Sequence, residues 1–191
     1  MAVFTEVTPA DATALLKQLD LGELVELKGI TGGIENTNYF LTSAQDGAER
    51  QHVLTLFERL SFEQLPFYLH LMQHLAARGV PVPDPVATPK GEILLKLKGK
   101  PAALVNRLRG HSELAPTAGH CAQVGAMLAR MHLAGRDYPR HQPNLRGLPW
   151  WNDTVPVVLP HVDSAQAQLL RSELAYQNHV AASPAYAALP R

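Results

Sequence analysis

The chain has 191 residues, of which 46% are hydrophobic and 18% are charged. This composition can bury a sizeable core, which excludes intrinsic disorder as the state of the whole chain. The 17 basic residues balance the 17 acidic residues, so the chain has no positive field for a polyanion and we expect no nucleic-acid partner.

The first half of the chain has the patterns of one helix followed by strands. The segment Thr8-Pro9-Ala10-Asp11 combines a capping threonine, a proline for the first turn and an acid near the positive end of a helix. Alternating apolar residues then predict an antiparallel meander. Its predicted strands are 24–29, 38–42 and 52–57, and its predicted turns are Gly32-Gly33 and 45–47.

A second helix and a hairpin follow the meander. Ser61 and Gln64 have capping-box spacing, which predicts a helix that begins at Ser61 and that Gly79 ends. The segment 79–83 is extended, because each of its prolines disfavours helix at the preceding residue. The predicted hairpin consists of 93–97, the turn 98–100, and 103–108.

The second half of the chain has helical spacing. Apolar residues recur every three or four positions over 118–133, and Gly135 is suited to end that helix. The segment 136–160 is rich in proline, asparagine and tryptophan and predicts a loop, and a second long helix is predicted over 164–180. Together the patterns predict an α+β fold with two unequal lobes. The predicted parts are a sheet lobe over 1–104, a hinge over 105–112 and a helical lobe over 113–191.

The cysteine content and the length of the apolar runs indicate the cellular compartment in which we expect the protein. The one cysteine, Cys121, cannot form an internal disulfide and lies in an apolar helical pattern, so we expect a buried thiol in a reducing cytoplasm. The sequence has no run of 18 apolar residues, so we expect no membrane-spanning helix. Residues 1–11 lack the basic and apolar regions of a signal peptide. The sequence thus predicts a cytoplasmic protein without a membrane partner.

The most informative segment is 29–39, a glycine-containing loop between two predicted strands. Gly32 and Gly33 have no Cβ atoms, so backbone N–H groups there can approach phosphate oxygens closely. The loop lacks the Gly-Lys-Ser/Thr ending and following helix of a Walker sequence, and it is not a dinucleotide fingerprint. An ordinary hairpin turn is the alternative interpretation.

Three histidines are candidates for metal binding or for acid–base catalysis, but each also has a structural interpretation. His70 and His74 have the spacing of zinc ligands on a helix, although Leu71 stands where a metalloprotease has glutamate. A solvated helix face is the alternative for this pair. His132, near the end of its helix, is suited to be a base or to be a buried or capping histidine.

Two further patterns lie in the last third of the chain. The segment His161-Val162-Asp163 imitates a kinase catalytic loop, but Gln168 stands where that loop has asparagine. We therefore interpret Asp163 or Ser164 as a helix N-cap. The pair Trp150-Trp151 is suited to a substrate wall or to a core edge that packs the loop down.

Taken in order, these motifs resemble bacterial homoserine kinases of the aminoglycoside-phosphotransferase-like, choline-kinase-like superfamily. The resemblance covers nearly the whole chain. The stretches that carry it are Gly32–Asn38, Val53–Glu58, Leu65–Tyr68, Gly79–Pro83, Leu128–His132 and Leu148–Trp151.

The resemblance implies a protein-kinase-like fold with an antiparallel-sheet N-lobe and the first helices of the C-lobe, truncated before the catalytic loop. It implies transfer of the γ-phosphate of ATP, with Mg²⁺, to the hydroxyl of the small amino acid L-homoserine in threonine biosynthesis. The nucleotide-binding residues that it implies are Gly32, Gly33, Glu35, Asn36, Thr37, Asn38, Thr55, Asn106, Arg107 and Leu108.

The resemblance also implies which functional groups of a kinase are absent from these 191 residues. The catalytic base and the metal ligands are expected beyond Arg191, so no catalytic or metal residue is expected in the chain, which should be inactive alone. Thr55 occupies the third-strand position usually held by lysine, which leaves open how the phosphates are neutralised. The nearest candidate for the usual partner acid is Glu63.

Two alternatives stay open at this point. One is a kinase for another small alcohol or amino sugar, and the other is a non-catalytic, kinase-like binding module. A His-x-Asp motif after Arg191, followed five residues later by asparagine, would distinguish a kinase from a binding module.

Overall fold

The structure, a computed structural model, describes residues 4–189. Backbone contacts divide the chain into two compact units, with the boundary between His141 and Gln142. Among the described residues, the first unit holds a five-stranded sheet and three α-helices, and the second unit holds three further α-helices. None of the helices within 4–189 combines the length and the apolarity that crossing a bilayer requires.

Helix α1 spans Pro9–Leu19 and begins as the sequence predicts. The Thr8 hydroxyl accepts a hydrogen bond from Asp11 N, and the Asp11 carboxylate accepts one from Thr8 N, so the capping box is complete. The buried face of α1 packs into the main apolar core against the sheet. That face consists of Ala12, Leu15, Leu16 and Leu19.

The predicted meander and hairpin form a single antiparallel sheet with the order β1-β2-β3-β5-β4. Its strands are β1 Glu23–Gly29, β2 Asn36–Gln45, β3 Ala48–Phe57, β4 Leu95–Leu97 and β5 Lys100–Asn106. The strands β2 and β3 are longer than predicted, because the turn Asp46-Gly47 keeps them paired as far as Gln45 and Ala48. Both turn residues have positive φ, 52° and 77°, as a tight two-residue hairpin requires.

The two faces of the sheet have different surroundings. Alternation along the central strands directs one set of side chains into the core with α1. This set includes Tyr39, Leu41, Leu54, Leu56, Ala102 and Leu104. The opposite face carries Phe57 and Ala103, which pack with helix α2 in a second, smaller core. The sheet therefore separates the main core from the side on which α2 lies.

Helix α2 spans Leu65–Ala76 and begins four residues later than predicted. Ser61 N does donate to Gln64 Oε1 over 3.0 Å, but this bond closes a turn that precedes the helix. Pro66 explains the difference, since a proline is tolerated in the first turn of a helix, where its missing N–H needs no partner. Gly79, with φ 73°, lies just beyond the last turn of α2.

Helix α3 spans Ala118–Gly135, as predicted, and Thr117 caps its start. The expectation of a buried Cys121 is wrong, because the thiol is exposed and α3 has no buried residue. The helix contacts α2 at its C-terminal end, where Gly135 faces Leu75 and His74 Nε2 lies 3.0 Å from Ala134 O. Cys121 lies near the opposite end of the helix, away from this contact.

The second unit corrects the prediction of a loop over 136–160. Helix α4 spans Leu148–Val158 and continues as a short 3-10 turn, Leu159–His161. Pro149 lies in the first turn of α4, where proline favours helix, and Pro156 is accommodated inside the helix near its end.

Helices α5, Ser164–Ala181, and α6, Pro184–Ala187, complete the second unit. Asp163 is the N-cap of α5, since its carboxylate accepts from Gln166 N over 2.8 Å. The interpretation of Asp163 as a cap is therefore confirmed. Trp150 and Trp151 pack edge to face with ring centroids 6.1 Å apart and remain partly exposed.

Candidate nucleotide-binding site

A cavity of about 550 Å³ lies in the first unit, on the sheet face that also meets α2. Strands β2, β3 and β5 form its wall, α2 contributes two apolar side chains, and the segment after β5 closes one end. Its lining residues are Asn36, Asn38, Phe40, Val53, Thr55, Phe57, Leu69, Met72, Pro83, Ala103, Val105, Asn106, Arg107, Leu108 and Gly110.

The strand register gives this cavity an apolar end and a polar end. At the apolar end, Val53 pairs with Phe40 on β2 and with Val105 on β5. Two residues further along, Thr55 pairs with Asn38. A strand rises about 3.4 Å per residue, so the two ends are about 7 Å apart. The apolar end adjoins the segment after β5, and the polar end adjoins the connection 30–35.

A hydrogen-bonded pair occupies the polar end. The Thr55 hydroxyl donates to Asn38 Oδ1 over 2.7 Å, and Asn38 Nδ2 donates to Asn36 O over 3.4 Å. These two bonds fix the plane of the Asn38 amide. The amide nitrogen carries two N–H bonds and the Asn36 carbonyl accepts one of them, so the other can serve a ligand acceptor.

Among the described residues that line the cavity, Arg107 is the one with a cationic side chain. Its guanidinium carbon lies 4.2 Å from the centre of the Phe40 ring, which is a cation–π contact. Arg107 N donates to Gln51 O over 3.0 Å, and its side chain reaches Gln51 Oε1 at 3.4 Å. The cation therefore lies at the apolar end, not beside Asn38.

The structure brings six of the ten predicted nucleotide-binding residues together on the lining. These are Asn36, Asn38, Thr55, Asn106, Arg107 and Leu108. Gly32, Gly33 and Glu35 lie in the connection between β1 and β2, next to the polar end but outside the lining. This connection has six residues, 30–35, and is longer than the tight turn predicted at Gly32-Gly33.

Thr37 faces away from the cavity and is fully buried. Its hydroxyl oxygen accepts from Phe4 N over 2.9 Å and from Thr5 N over 3.1 Å, and it donates to Glu58 Oε1 over 2.6 Å. Strand alternation could have predicted this orientation, because Asn36 and Asn38 on either side of Thr37 point into the cavity.

Sequence reasoning missed two charged residues near this site, Glu58 and Lys100. The Glu58 carboxylate accepts from the hydroxyls of Thr5 and Thr37 and forms an ion pair with Lys100 Nζ. Burial alone would raise the pKa of Glu58, but hydrogen bonds from Lys100, Thr37 and Thr5 outweigh burial and lower it. No local pattern indicates this cluster, since its members are far apart in the sequence.

The other candidate residues have structural roles or exposed positions. His74 lies 3.3 Å from Asp137, so the histidine contributes to the contact between α2 and the end of α3. Within residues 4–189, no group of three or more His, Cys, Asp or Glu side chains could hold a metal ion. His132 is exposed in the last turn of α3. Glu63 is exposed before α2, and a hydrogen bond with Ser61 lowers its pKa.

The cavity thus lies between the open face of the sheet and the segment after β5. The model of the phosphotransferase enzyme family matches residues 26–191, and the chain belongs to this family. Curated relatives are named more narrowly. The chain is 68% identical, over all 191 residues, to the homoserine kinase of Polaromonas naphthalenivorans and covers 59% of that protein.

Other relatives give the same picture. The chain is 59% identical over 190 residues to the homoserine kinase of Cupriavidus pinatubonensis, of which it covers 58%. The chain is 60% identical over 190 residues to the homoserine kinase of Ralstonia nicotianae, of which it covers 57%. The chain thus spans less than three fifths of the length of these relatives.

Solved structures share the fold at low sequence identity. Amicoumacin kinase, in complex with AMP-PNP, Ca²⁺ and its ligand, matches 90% of this chain and 54% of its own, with a TM-score of 0.60 and 20% identity. Spectinomycin phosphotransferase, in complex with ADP and spectinomycin, matches 93% of this chain and 55% of its own, with a TM-score of 0.57 and 15% identity. The predicted kinase-like α+β fold is therefore confirmed.

Proposed function

We propose that this chain is the nucleotide-binding part of an ATP-dependent kinase that phosphorylates the hydroxyl of L-homoserine. The observation that carries the proposal is the cavity, whose apolar end adjoins the segment after β5 and whose polar end adjoins the glycine-containing connection 30–35. The curated relatives named homoserine kinase support the choice of substrate. Such an enzyme would act in threonine biosynthesis in the cytoplasm.

In this proposal the adenine occupies the apolar end, between Phe40, Val53 and Val105. The N–H groups of Asn106 and Arg107 already bond to Asp84 O and Gln51 O, so we assign the adenine contact to the backbone of Leu108. The shape of this end, rather than a specific side-chain hydrogen bond, would select the flat base.

The phosphates would lie at the polar end. Asn38, held by Thr55, offers an amide donor there, and the connection 30–35 offers backbone N–H groups beside Gly32 and Gly33. Bound Mg²⁺ would neutralise phosphate charge. We assign the metal ligands and the catalytic base to residues beyond Arg191, as the resemblance to homoserine kinases implies.

We retain the division into a sheet lobe over 1–104, a hinge over 105–112 and a helical lobe over 113–191 as part of the proposal. The segment 107–117 has no helix or strand and connects β5 to α3. Gly110, at φ 140°, has a backbone conformation that other residues rarely adopt. A linker of this kind suits a hinge.

The proposal is tested with a longer protein that continues past Arg191 to the full length of the relatives. It should form ADP with L-homoserine and Mg-ATP, while choline and an aminoglycoside give little turnover. Turnover with one of these and none with homoserine would support a kinase for another small alcohol or amino sugar. ATP binding without any phosphoryl transfer would support the binding module. The 191-residue chain alone should show no transfer, because the proposal assigns the catalytic base to residues beyond Arg191.

A further inference from the structure

Four polar side chains form a closed cluster on the sheet face opposite the cavity. We call Thr5, Thr37, Glu58 and Lys100 the Glu58 cluster. Glu58 Oε1 accepts from Thr5 Oγ1 over 2.7 Å and from Thr37 Oγ1 over 2.6 Å. Lys100 Nζ donates to Glu58 Oε2 and, over 2.7 Å, to Thr5 Oγ1. The cluster joins the N-terminal segment, β2, the end of β3 and the start of β5.

Thr37 gives this cluster a direct connection to the polar end of the cavity. It lies between Asn36 and Asn38 on β2, and both neighbours line the cavity. Fixing the Thr37 side chain therefore fixes the backbone from which the two asparagines project to the other face.

The start of β2 needs this support because the sheet holds it on one side only. Strand β1 pairs with β2 as far as Gly29 opposite Tyr39, and Ile30 N still donates to Asn38 O over 2.9 Å, so residues 36 and 37 pair with β3 alone. On the open side, Phe4 N and Thr5 N both donate to the Thr37 hydroxyl. The cluster thus replaces a missing strand neighbour beside the connection 30–35.

The charge of Glu58 suits this role. An ionised carboxylate accepts hydrogen bonds from Thr5, Thr37 and Lys100 together, and such charge-assisted bonds are stronger than neutral ones. A glutamine would keep the shape of the side chain but would direct N–H donors toward the donors of the cluster. A single substitution at Glu58 should therefore release Thr37.

We propose that Glu58 is a positioning residue for the phosphate end of the nucleotide site. Its carboxylate orders Thr37, and through Thr37 it orders Asn36, Asn38 and the connection 30–35. This inference rests on the proposed function, because it requires that ATP phosphates lie beside Asn38.

The test compares ATP with adenosine, which lacks the phosphates, in equilibrium binding measurements on the full-length protein. Glu58→Gln and Lys100→Met should weaken ATP binding about tenfold, because one or two charge-assisted hydrogen bonds are lost. Both variants should leave adenosine affinity within about twofold of wild type. Lys100→Arg, which keeps the cation, should restore most of the ATP affinity.

Lys98→Met is the matched control. Lys98 and Lys100 have the same side-chain exposure, 37%, and each forms one ion pair, but the partner of Lys98 is Asp11 on α1. The control should leave ATP affinity unchanged. If Glu58→Gln does not fold, Lys100→Met, which keeps the carboxylate, decides the question.

Three results would overturn the inference. Unchanged ATP affinity in folded Lys100→Met and Glu58→Gln variants would remove the positioning role and leave the proposed function intact. Equal weakening of ATP and adenosine would assign the cluster to general stability. A wild-type protein that binds no ATP would overturn the proposed function and this inference together.

Discussion

The Thr55 hydroxyl donates a hydrogen bond to Asn38 Oδ1 over 2.7 Å, across neighbouring strands of the sheet. By resemblance, a lysine usually occupies the position of Thr55. In the proposed function, the neutral pair in its place would offer an oriented amide donor to a phosphate, without the charge of an ammonium group.

Replacing Thr55 with valine should weaken ATP binding in the full-length protein about five- to tenfold. The substitution keeps the branched shape but removes the donor that orients Asn38, at a cost of about 1 kcal/mol. Isothermal titration with ATP measures the effect. Thr55→Ser keeps the hydroxyl and should bind ATP like the wild type, so equal affinities for the valine and serine variants would contradict the role of this pair.

Gly33→Val should weaken ATP binding while the protein remains folded. Gly33 has φ 131°, and an L side chain in that region is strained by about 1–3 kcal/mol, so the connection 30–35 should change shape. Gly91→Val is the control, because Gly91 also has a positive φ, 85°, but is not among the residues that line the cavity. If nucleotide affinity and kcat of Gly33→Val equal those of wild type, the connection is an ordinary turn.

Stability should fall below about pH 6.5 because of His52. This side chain is buried, and burial followed by repulsion from Arg50 lowers its pKa from 6.5. The unfolded chain therefore binds the proton first as pH falls, and stability decreases from about pH 6.5 down to the folded-state pKa. Well above pH 6.5 the residue is neutral in both states and contributes no pH dependence.

Urea unfolding at pH 7.5 and pH 5.5 measures this dependence. His52→Gln, which cannot be protonated, should show a smaller loss of unfolding free energy between the two pH values than the wild type. The exposed His132 supplies the control variant His132→Gln, which should behave like the wild type. If His52→Gln loses as much unfolding free energy as the wild type between the two pH values, the pH dependence of stability arises from other groups.

The 191-residue chain should bind a hydrophobic dye and self-associate. Helix α3 has no buried residue, and its Val124, Leu128 and Leu133 are each about half exposed or more. Apolar surface of this extent commonly finds a partner. Light scattering and dye fluorescence measure the effect, and Leu128→Glu should reduce both, whereas Leu169→Glu on α5 should not. A dye-silent monomer would contradict the prediction.

Local signals made much of the fold predictable from the sequence. The capping box of Thr8 and Asp11 and the turn Asp46-Gly47 depend on residues only a few positions apart, so their patterns are visible in the chain. The sequence pattern does not predict helix α4, because prolines are typical of loops. Pro149, however, lies in the first turn of α4, where proline is compatible with a helix.

The site was less predictable, because it depends on contacts between distant residues. Motif reasoning included Thr37, although its side chain faces the other side of the sheet. Glu58 ends one of the stretches that carry the resemblance, but no local pattern links it to Lys100, and only the pairing of β3 with β5 brings the two together. The position of Cys121 was missed because helical periodicity shows that a face is apolar, but not whether another element covers it.

The exposed position of Cys121 makes the chain suitable for site-specific labelling. It is the single cysteine of the 191 residues, so one thiol-reactive fluorophore would attach at one place without any engineered substitution. Cys121 is not among the residues that line the cavity, so a label there would lie outside the proposed nucleotide site. A polarity-sensitive dye at this position would report, through its emission, any molecule that comes to cover α3.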